Sequence, residues 1–545
     1  MNIKSDSLNS NNLRENKFSS SSVFWISLSL IIKGILFLLL INELGVISFS
    51  KFAGIIGGDT SSYLEPIESL ISKGVYEPDF RMPGYGWIYY LLRLLFDQTA
   101  SENLLIFCQF VLSSISVYYL ALSAKILFKS KRIFYLVFFS YLISTYTAIF
   151  DIILLTESFT VSATIFGIYF LAIGFRDKNN KYFFISGLFF TWITFLRPVY
   201  FIYFLICLLF IMAFRKRNNY SVKKTLTAYL LFLISFLIID SIWVIHNSKQ
   251  TGKILPLTKS FQYTGTEESY YSDMMRFLQS WGGSFVFWDP TSEIRWFGLY
   301  GEKYGDRPWM TELHGEIPDY IYTNSFNRDS LFLVKGLIAR YTSTDITEQY
   351  RDSINSLLKK KLSIYTKSIK TEHPFLYYIK APMILFKKQL IHSGTYNLMK
   401  EPWEKLNTIK RSIKLFYAAQ YLFILFAGFI GIFYVFIRKR KIEFLIFPVM
   451  TLYGVIIFPV ILRFSEMRYF VPTFPLMLVC AMYGLDKIID VYKNAMAIEG
   501  VKIHLYGKKS TKAFRKMGHV TVIAKTIKEA KRKADFIKKT LKVKS

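Results

Sequence analysis

The sequence predicts a polytopic α-helical membrane protein with about ten transmembrane helices. Of its 545 residues, 52% are hydrophobic and 18% aromatic, and the mean hydropathy is +0.30. A soluble protein of this length would need more polar surface. The net charge of +30 comes from Lys and Arg clustered between apolar runs and in the C-terminal tail. Loops on the cytoplasmic side of a membrane carry such clusters, so we predict membrane lipids as partners and no nucleic acid.

Ten apolar segments are candidate spans, because about twenty helical residues cross a bilayer. The first lacks a small-residue cleavage site, which predicts a retained helix and not a signal peptide. Before it, residues 1–22 are rich in Ser and Asn, which predicts a disordered N-terminus. The candidate spans are 23–44, 103–127, 133–150, 158–175, 182–196, 198–214, 225–246, 414–437, 443–462 and 468–488.

Basic connectors between the spans set the predicted orientation. All four connectors fall on one side of the membrane if the stretch 84–97 does not cross it. This stretch has about fourteen residues, too few for a spanning helix, so we predict an interfacial or re-entrant helix there. Both termini are then cytoplasmic. The connectors 45–83, 151–157, 197–198, 247–413 and 463–467 are then extracytoplasmic. The basic connectors are 129–132, 176–181, 215–224 and 438–441.

The chain therefore divides into a transmembrane core at 23–246, an extracytoplasmic domain at 247–413 and C-terminal membrane helices at 414–490. The extracytoplasmic domain is rich in aromatic residues such as Trp281 and Trp296. Aromatic rings stack on sugar faces, but they also build ordinary cores. Both interpretations stay open at this point.

The first outer connector contains the residues best suited to chemistry. Asp59 follows two glycines and could act as a general base or bind a metal. Arg81 could hold a phosphate through paired hydrogen bonds. The simpler alternatives are that Asp59 caps a helix and that Arg81 anchors a turn at the interface.

Five sequence fragments, in order, resemble one known group of enzymes. The loop reads G-D-x-x-x-Y-L from Gly58, then K-G-V-Y from Lys73 and D-x-R-x-P-G-Y from Asp79. Leu-Thr-Glu at 155–157, Phe-Leu-Arg-Pro at 195–198, the segment 246–256 and Arg-Tyr-Phe-Val-Pro at 468–472 follow. Together these resemble the GT-C glycosyltransferases. The likeness is greatest to the bacterial branch related to protein O-mannosyltransferases and lipid A aminoarabinose transferases, and covers about 40–260 and 440–488.

This resemblance implies a GT-C-like fold and a reaction at the outer face of a bacterial inner membrane. Such enzymes transfer a sugar from a polyprenyl-phosphate donor to a glycan, lipid or protein acceptor. Met82 stands where the aminoarabinose branch has an acidic residue that helps hold a metal, so we expect no metal cofactor. The implied site residues are Asp59 as base with Glu157 and Asp151 nearby, Arg81, Arg197 and Arg468 on the donor phosphate, and Tyr63 and Tyr85 positioning substrate.

A tail at 497–545 has a different texture, with no apolar span and many lysines. It resembles the C-terminal end of carboxyaminoimidazole ribonucleotide synthase, an ATP-grasp enzyme, and we expect a small α+β cytoplasmic domain. The nucleotide-binding core of that enzyme is absent from this sequence. Two interpretations of the tail stay open: a fused or duplicated remnant of a neighbouring gene, and a cytoplasmic anchor on anionic lipid.

Two other functions remain as alternatives to the glycosyltransferase. A lipid-linked saccharide transporter or flippase would need polar residues buried in mid-span and inverted repeats. An oligosaccharide polymerase would share the long outer loop and outer arginines, but not the early Gly-Asp loop.

Overall fold

The computed structural model describes residues 20–44, 53–78, 81–218, 221–257, 269–286, 292–298, 316–395, 398–438, 442–496, 501–505 and 518–540. Most of these residues are helical. The predicted disorder of the N-terminus falls mainly on residues outside these ranges.

The N-terminal half is built from long helices joined by short turns. Two shorter helices lie between α1 and α4, one within the connector 45–83 and one directly after it. The helices are α1 (Ser20–Leu44), α2 (Thr60–Lys73), α3 (Gly86–Arg93), α4 (Gln98–Phe128), α5 (Lys131–Leu142), α6 (Thr145–Ala148), α7 (Glu157–Asp177), α8 (Asn180–Leu196), α9 (Phe201–Asn218) and α10 (Val222–Thr251).

The second half contains a group of helices in the predicted extracytoplasmic segment, then two long helices with a shorter one between them, and a small tail. These elements are α11 (Tyr271–Trp281), α12 (Arg328–Thr342), α13 (Glu348–Glu372), α14 (Ala381–Leu390), α15 (Thr408–Arg438), α16 (Ile446–Ile456), α17 (Phe474–Met496), β1 (Val501–Leu505), β2 (Gly518–Val522) and α18 (Ile527–Thr540).

Six helices in the described ranges are long and apolar enough to cross a membrane. A seventh candidate span consists of two helical segments, Lys131–Leu142 and Thr145–Ile152, that are bent by 49° relative to each other. Each overlaps a predicted span. Three other predicted spans fall on α8 with 17 residues, on the short apolar helix Pro198–Phe214 and on α17. The count of about ten spans stays a prediction.

Capping residues explain where several of these helices begin. Asp97 accepts a hydrogen bond from Ala100 N at the start of α4, and Ser130 accepts from Ile133 N at the start of α5. Both satisfy a backbone N–H that the first helical turn leaves free. Lys129 and Lys178 are the residues that follow α4 and α7, and both have a left-handed backbone conformation. Their positive charges stabilise the helix C-termini, where the helix dipole is negative.

Helix α7 lies at the centre of the membrane part, since 89% of the residues in its most apolar stretch are buried. It packs against α4 and α8. On the other side of the bundle, α15 and α17 approach so closely that a Cβ on Gly431 would strike the backbone of Cys480. Close approach through small residues is the usual way that helices associate in membranes.

The described part of segment 247–413 has a separate core formed mainly by α11, α12 and α13. Trp281 lies inside it at 1% exposure, so it serves packing and not sugar stacking. Trp296 is partly buried against this core, and its ring lies 5.1 Å from that of Phe332 at an angle of 60°. The aromatic content of the segment thus has an ordinary structural cause in the described residues.

The tail forms an antiparallel pair of β1 with β2, in which Val501 lies opposite Val522, followed by α18. Helix α18 contacts both β2 and α17, and Ile537 is buried. The tail therefore combines strands and a helix, as its sequence texture predicted. Its cytoplasmic location stays a prediction.

Gly84 holds the outer connector against the end of α8. Gly84 N donates to Phe195 O at 3.2 Å, and Trp192 Nε1 donates to Gly84 O at 3.0 Å. A Cβ at this position would overlap the Phe195 backbone, which cannot yield as a flexible side chain would. The crossing places the loop that carries Arg81 beside the residue that follows α8, Arg197.

We expect Gly84→Ala to lower the free energy of unfolding by about 1–3 kcal/mol, the usual cost of overpacking. Gly336→Ala in α12 is the matched control, because nothing lies within 4 Å of an added Cβ there. Alanine also favours a helix over glycine, so this control should be neutral or stabilising. Unfolding in mixed detergent micelles measures both. Equal stability of the two variants would contradict the packing argument.

Candidate active site

Asp59 lies where the outer connector enters α2. It is the N-cap residue, but within the described part its side chain makes no capping hydrogen bond. Thr60 Oγ1 accepts from Gly57 N at 2.8 Å, and Ser62 Oγ donates to Asp59 O at 2.7 Å. The turn is thus held by its neighbours, and the Asp59 carboxylate remains available for other partners.

The connector is also tied to the segment that precedes α7. Ile55 N donates to Ile152 O at 2.8 Å, and Leu154 N donates to Ile55 O at 3.0 Å. Thr60 Oγ1 adds a bond of 2.7 Å to Leu154 O. These bonds bring the start of α2 next to the start of α7, although about a hundred residues separate them in sequence.

Two arginines hold the Asp59 carboxylate. Arg81 Nη2 lies 3.2 Å from Asp59 Oδ1, and Arg468 Nη1 lies 2.7 Å from Asp59 Oδ2. Arg81 is itself oriented by Ser62 Oγ, which accepts from Nε at 3.0 Å, and by the Tyr63 hydroxyl, which accepts from Nη1 at 2.9 Å. Arginines from opposite ends of the chain therefore meet on one carboxylate.

A second pair lies beside the first. Arg197 Nη2 donates to Glu157 Oε1 at 2.6 Å, and Arg197 Nε donates to Thr156 Oγ1 at 2.9 Å. Arg468 Nη1 lies 3.9 Å from the same Glu157 oxygen. Glu157 is fully buried, and its Oε2 has no hydrogen-bond partner among the described residues. Arg468 thus links the Asp59 and Glu157 pairs into one cluster.

Glu466 completes this cluster and was not predicted. Its Oε1 lies 2.5 Å from Arg468 Nε, and its side chain is 11% exposed. The sequence signal was present, since Glu466 precedes Arg468 by two residues in a short turn between apolar segments. The motif that resembles known enzymes begins at Arg468 and so does not include Glu466.

The pKa values of Asp59 and Glu466 shift in opposite directions. Burial alone would raise the pKa of Asp59, but the charges of Arg468 and Arg81 outweigh it and hold the pKa below its ordinary value. At Glu466 burial dominates and raises the pKa despite the nearby Arg468. Asp59, at 31% exposure, is thus ionised at neutral pH and the acid most open to solvent.

Two residues predicted for the site have other roles in the structure. Asp151 is buried and pairs with Lys33 at 2.8 Å, while Ser158 Oγ donates to its other oxygen at 2.6 Å. Tyr85 is fully buried and its hydroxyl donates to Gln109 at 2.8 Å. We therefore assign Asp151 to an internal ion pair and Tyr85 to packing, because neither side chain is left open to a substrate.

The described residues do not fit a bound metal. No group of three or more His, Cys, Asp or Glu side chains in the described ranges is placed to hold an ion. Met82, at the position where a related branch has an acidic residue, is buried and apolar. We therefore derive no step through a metal.

Comparison with known families gives two matches. The family model described as dolichyl-phosphate-mannose-protein mannosyltransferase matches residues 78–244, which include Arg81, Glu157 and Arg197. Asp59, Glu466 and Arg468 lie outside that match. The model described as phosphoribosylaminoimidazole carboxylase C-terminal domain matches residues 482–533. No curated protein matches the chain.

Two solved structures are similar over most of this chain. Both are of the Archaeoglobus fulgidus oligosaccharyltransferase, one tethered to an acceptor peptide and one complexed with zinc and sulfate. Each is 11% identical; the matches cover 89% and 87% of this chain, with TM-scores of 0.44 and 0.43. This chain spans about half the length of those structures, since 51% of each is covered.

The family matches confirm both resemblances found in the sequence, and the tail match begins earlier than predicted, inside α17. The chain is thus a mainly helical, glycosyltransferase-like membrane protein that is similar to the dolichyl-phosphate-mannose-protein mannosyltransferases over residues 78–244, with a tail similar to the phosphoribosylaminoimidazole carboxylase C-terminal domain.

Proposed function

We propose that this chain transfers a sugar from a polyprenyl-phosphate donor to a hydroxyl acceptor at the outer face of the membrane. The observation that carries the proposal is the ionised Asp59 carboxylate, partly open to solvent and held between Arg81 and Arg468. A base next to a cluster of cations suits a reaction that removes a proton and releases a phosphate.

In this mechanism the acceptor oxygen attacks the anomeric carbon of the sugar. The bond from that carbon to the phosphate oxygen breaks, and its electron pair stays on the phosphate. Asp59 takes the proton of the acceptor hydroxyl. Arg81, Arg197 and Arg468 stabilise the charge that grows on the leaving phosphate, because preorganised cations act most strongly where charge develops.

The low pKa of Asp59 makes it a weak base while both arginines contact it. A donor phosphate competes with the carboxylate for the same guanidinium groups, which prefer paired oxygen acceptors. Movement of Arg468 or Arg81 towards the phosphate would raise the pKa of Asp59 when the sugar is in place. Donor binding would thus precede activation of the acceptor.

The test is a panel of radiolabelled polyprenyl-phosphate sugars offered to protein reconstituted in lipid vesicles with a mixture of glycan, lipid and peptide acceptors. Release of lipid phosphate together with labelled product supports the proposal and names the donor sugar. A donor that binds and crosses the vesicle membrane without cleavage would instead identify a transporter.

One observation favours the transporter as the second candidate. Lys33 lies in the middle of α1 and pairs with Asp151 at 2.8 Å, with both side chains no more than 3% exposed. Ionisable residues buried in a span often mark a translocation path. The vesicle experiment separates this candidate from the enzyme, because only the enzyme consumes the donor.

The outer location of the site is a separate prediction. Ser61 is exposed beside Asp59, and we expect Ser61→Cys to react with a membrane-impermeant maleimide in intact cells. Glu529→Cys in α18 is the control and should react only after the membrane is permeabilised. The parent protein measures any background from the three native cysteines. Labelling of Ser61→Cys only in permeabilised cells would place the site on the cytoplasmic side and refute the proposal.

A further inference from the structure

Glu466, like Glu157, has a buried carboxylate oxygen without a hydrogen-bond partner among the described residues, but the two differ in the cations that contact them. One carboxylate oxygen of Glu466, Oε1, contacts Arg468 Nε at 2.5 Å. The other, Oε2, is buried and has no hydrogen-bond partner among the described residues. A buried ionised oxygen without a donor is costly, and a carboxylate in that position favours its protonated form.

The groups facing Glu466 explain when it would take a proton. Arg468 and Tyr469 face it from its own segment, Asp59 from the start of α2 and Glu157 from the start of α7. With Arg81 and Arg197, the cluster holds three arginines against three carboxylates when all are ionised. A bound phosphodiester would add a fourth negative charge, which the three cations could not balance.

Protonation of one of the three acids would restore the balance of charge, and Glu466 is the acid best placed to take the proton. Asp59 stays ionised because two arginines contact it, and Glu157 Oε1 accepts a bond from Arg197. Among the described residues, Arg468 is the one cation that pairs with Glu466. Burial also raises the pKa of Glu466 above its ordinary value.

Building on the proposed function, we propose that Glu466 takes up one proton from solvent when the donor phosphate binds, and so releases Arg468 to the phosphate. Glu466 is then a positioning residue for Arg468. The ionised Glu466 carboxylate keeps the Arg468 guanidinium in contact with Asp59 and Glu157, and the protonated acid no longer attracts it. The same step removes one cation from Asp59 and makes it a stronger base.

The sign of the pH dependence follows from this linkage. The bound state carries one more proton than the free state, so donor affinity is highest at low pH. Affinity falls as pH rises through the pKa of Glu466 in the free protein, by at most about tenfold per pH unit for one proton.

The probe is the methyl phosphodiester of farnesol, because it keeps one negative charge from about pH 5 to about pH 8 and cannot itself titrate there. Calorimetry with the full-length protein in nanodiscs gives the affinity. Measurement in two buffers of different ionisation enthalpy counts the protons taken up. We expect about one proton for the wild type.

Glu466→Gln mimics the protonated acid. We expect it to bind the probe at least as tightly as the wild type does at its acid limit, with no proton uptake and no dependence on pH. A residue with only a structural role would give weaker binding at every pH. Glu293→Gln is the matched control, since Glu293 also pairs with a cation, Lys388, but lies in the extracytoplasmic core. It should keep the wild-type pH dependence.

The outcomes separate the two proposals. Wild-type binding without proton uptake, or a Glu466→Gln variant that keeps the pH dependence, would overturn the inference and leave the donor site standing. Absence of binding at every pH would remove the proposed donor site and the inference with it. Proton uptake lost only in Glu466→Gln supports both.

Discussion

Asp59→Asn should lower the rate of sugar transfer by about a hundredfold to ten-thousandfold, the usual contribution of a general base. Asparagine keeps the size of the side chain and can still accept hydrogen bonds from Arg81 and Arg468. It cannot take the proton of the acceptor hydroxyl. Because it also removes the negative charge that competes for the arginines, the donor KM should stay the same or fall.

The split between kcat and KM is therefore the decisive measurement, made with whichever donor the vesicle panel identifies. Asp97→Asn is the matched control, since Asp97 is also the N-cap residue of a helix but forms no ion pair with an arginine among the described residues. Asparagine caps a helix as well as aspartate does, so this variant should behave as the wild type. Normal kcat in Asp59→Asn would show that another group is the base.

Lys33→Met should destabilise the protein by about 3–5 kcal/mol, the cost of leaving one member of a buried ion pair without its partner. Lys33 reaches from α1 to Asp151 at 2.8 Å and also bonds to Ser113. Gln109 supports the same segment by donating to Ile153 O at 2.9 Å. Without Lys33 the negative charge of Asp151 would remain unpaired in an apolar interior. Asp151 also directly precedes the segment that is hydrogen-bonded to the loop before Asp59.

The destabilisation should be measured as the unfolding midpoint in mixed micelles. Adding Asp151→Asn to Lys33→Met should recover much of the loss, because neither remaining side chain carries a buried charge and Ser158 can still donate to the amide oxygen. Lys410→Met is the control, since Lys410 pairs with Glu43 near the end of α1, where both side chains are partly exposed, and its loss should matter little. Equal effects of the two lysine variants would mean that burial of the Lys33 pair is unimportant.

Much of the site could be predicted because charged residues at the ends of apolar runs are conspicuous. Asp59, Arg81, Glu157 and Arg197 lie in connectors that a single assumption about orientation placed on one side, and Arg468 begins the predicted span that follows such a connector. The structure brings these five together. Hydropathy similarly located six spans, because length and apolarity are read directly from the sequence.

The remaining features depend on burial and partners, which periodicity does not reveal. Tyr85 and Tyr63 belong to the same connector, yet only the hydroxyl of Tyr63 contacts Arg81. Lys33 stands alone in an apolar run, and nothing in the sequence connects it with a residue more than a hundred positions away. The role of Asp151 could not be inferred for the same reason, since its partner was unknown.

The unbroken course of α17 has a mechanical consequence. Its 23 residues make a rod about 34 Å long that begins four residues after the turn Met467–Phe470, which carries Arg468. The other end lies just before β1, and α18 contacts the rod. A force applied to the tail therefore reaches the turn with Arg468 along one stiff element. A pulling force applied through the C-terminus would therefore act on the turn that carries Arg468.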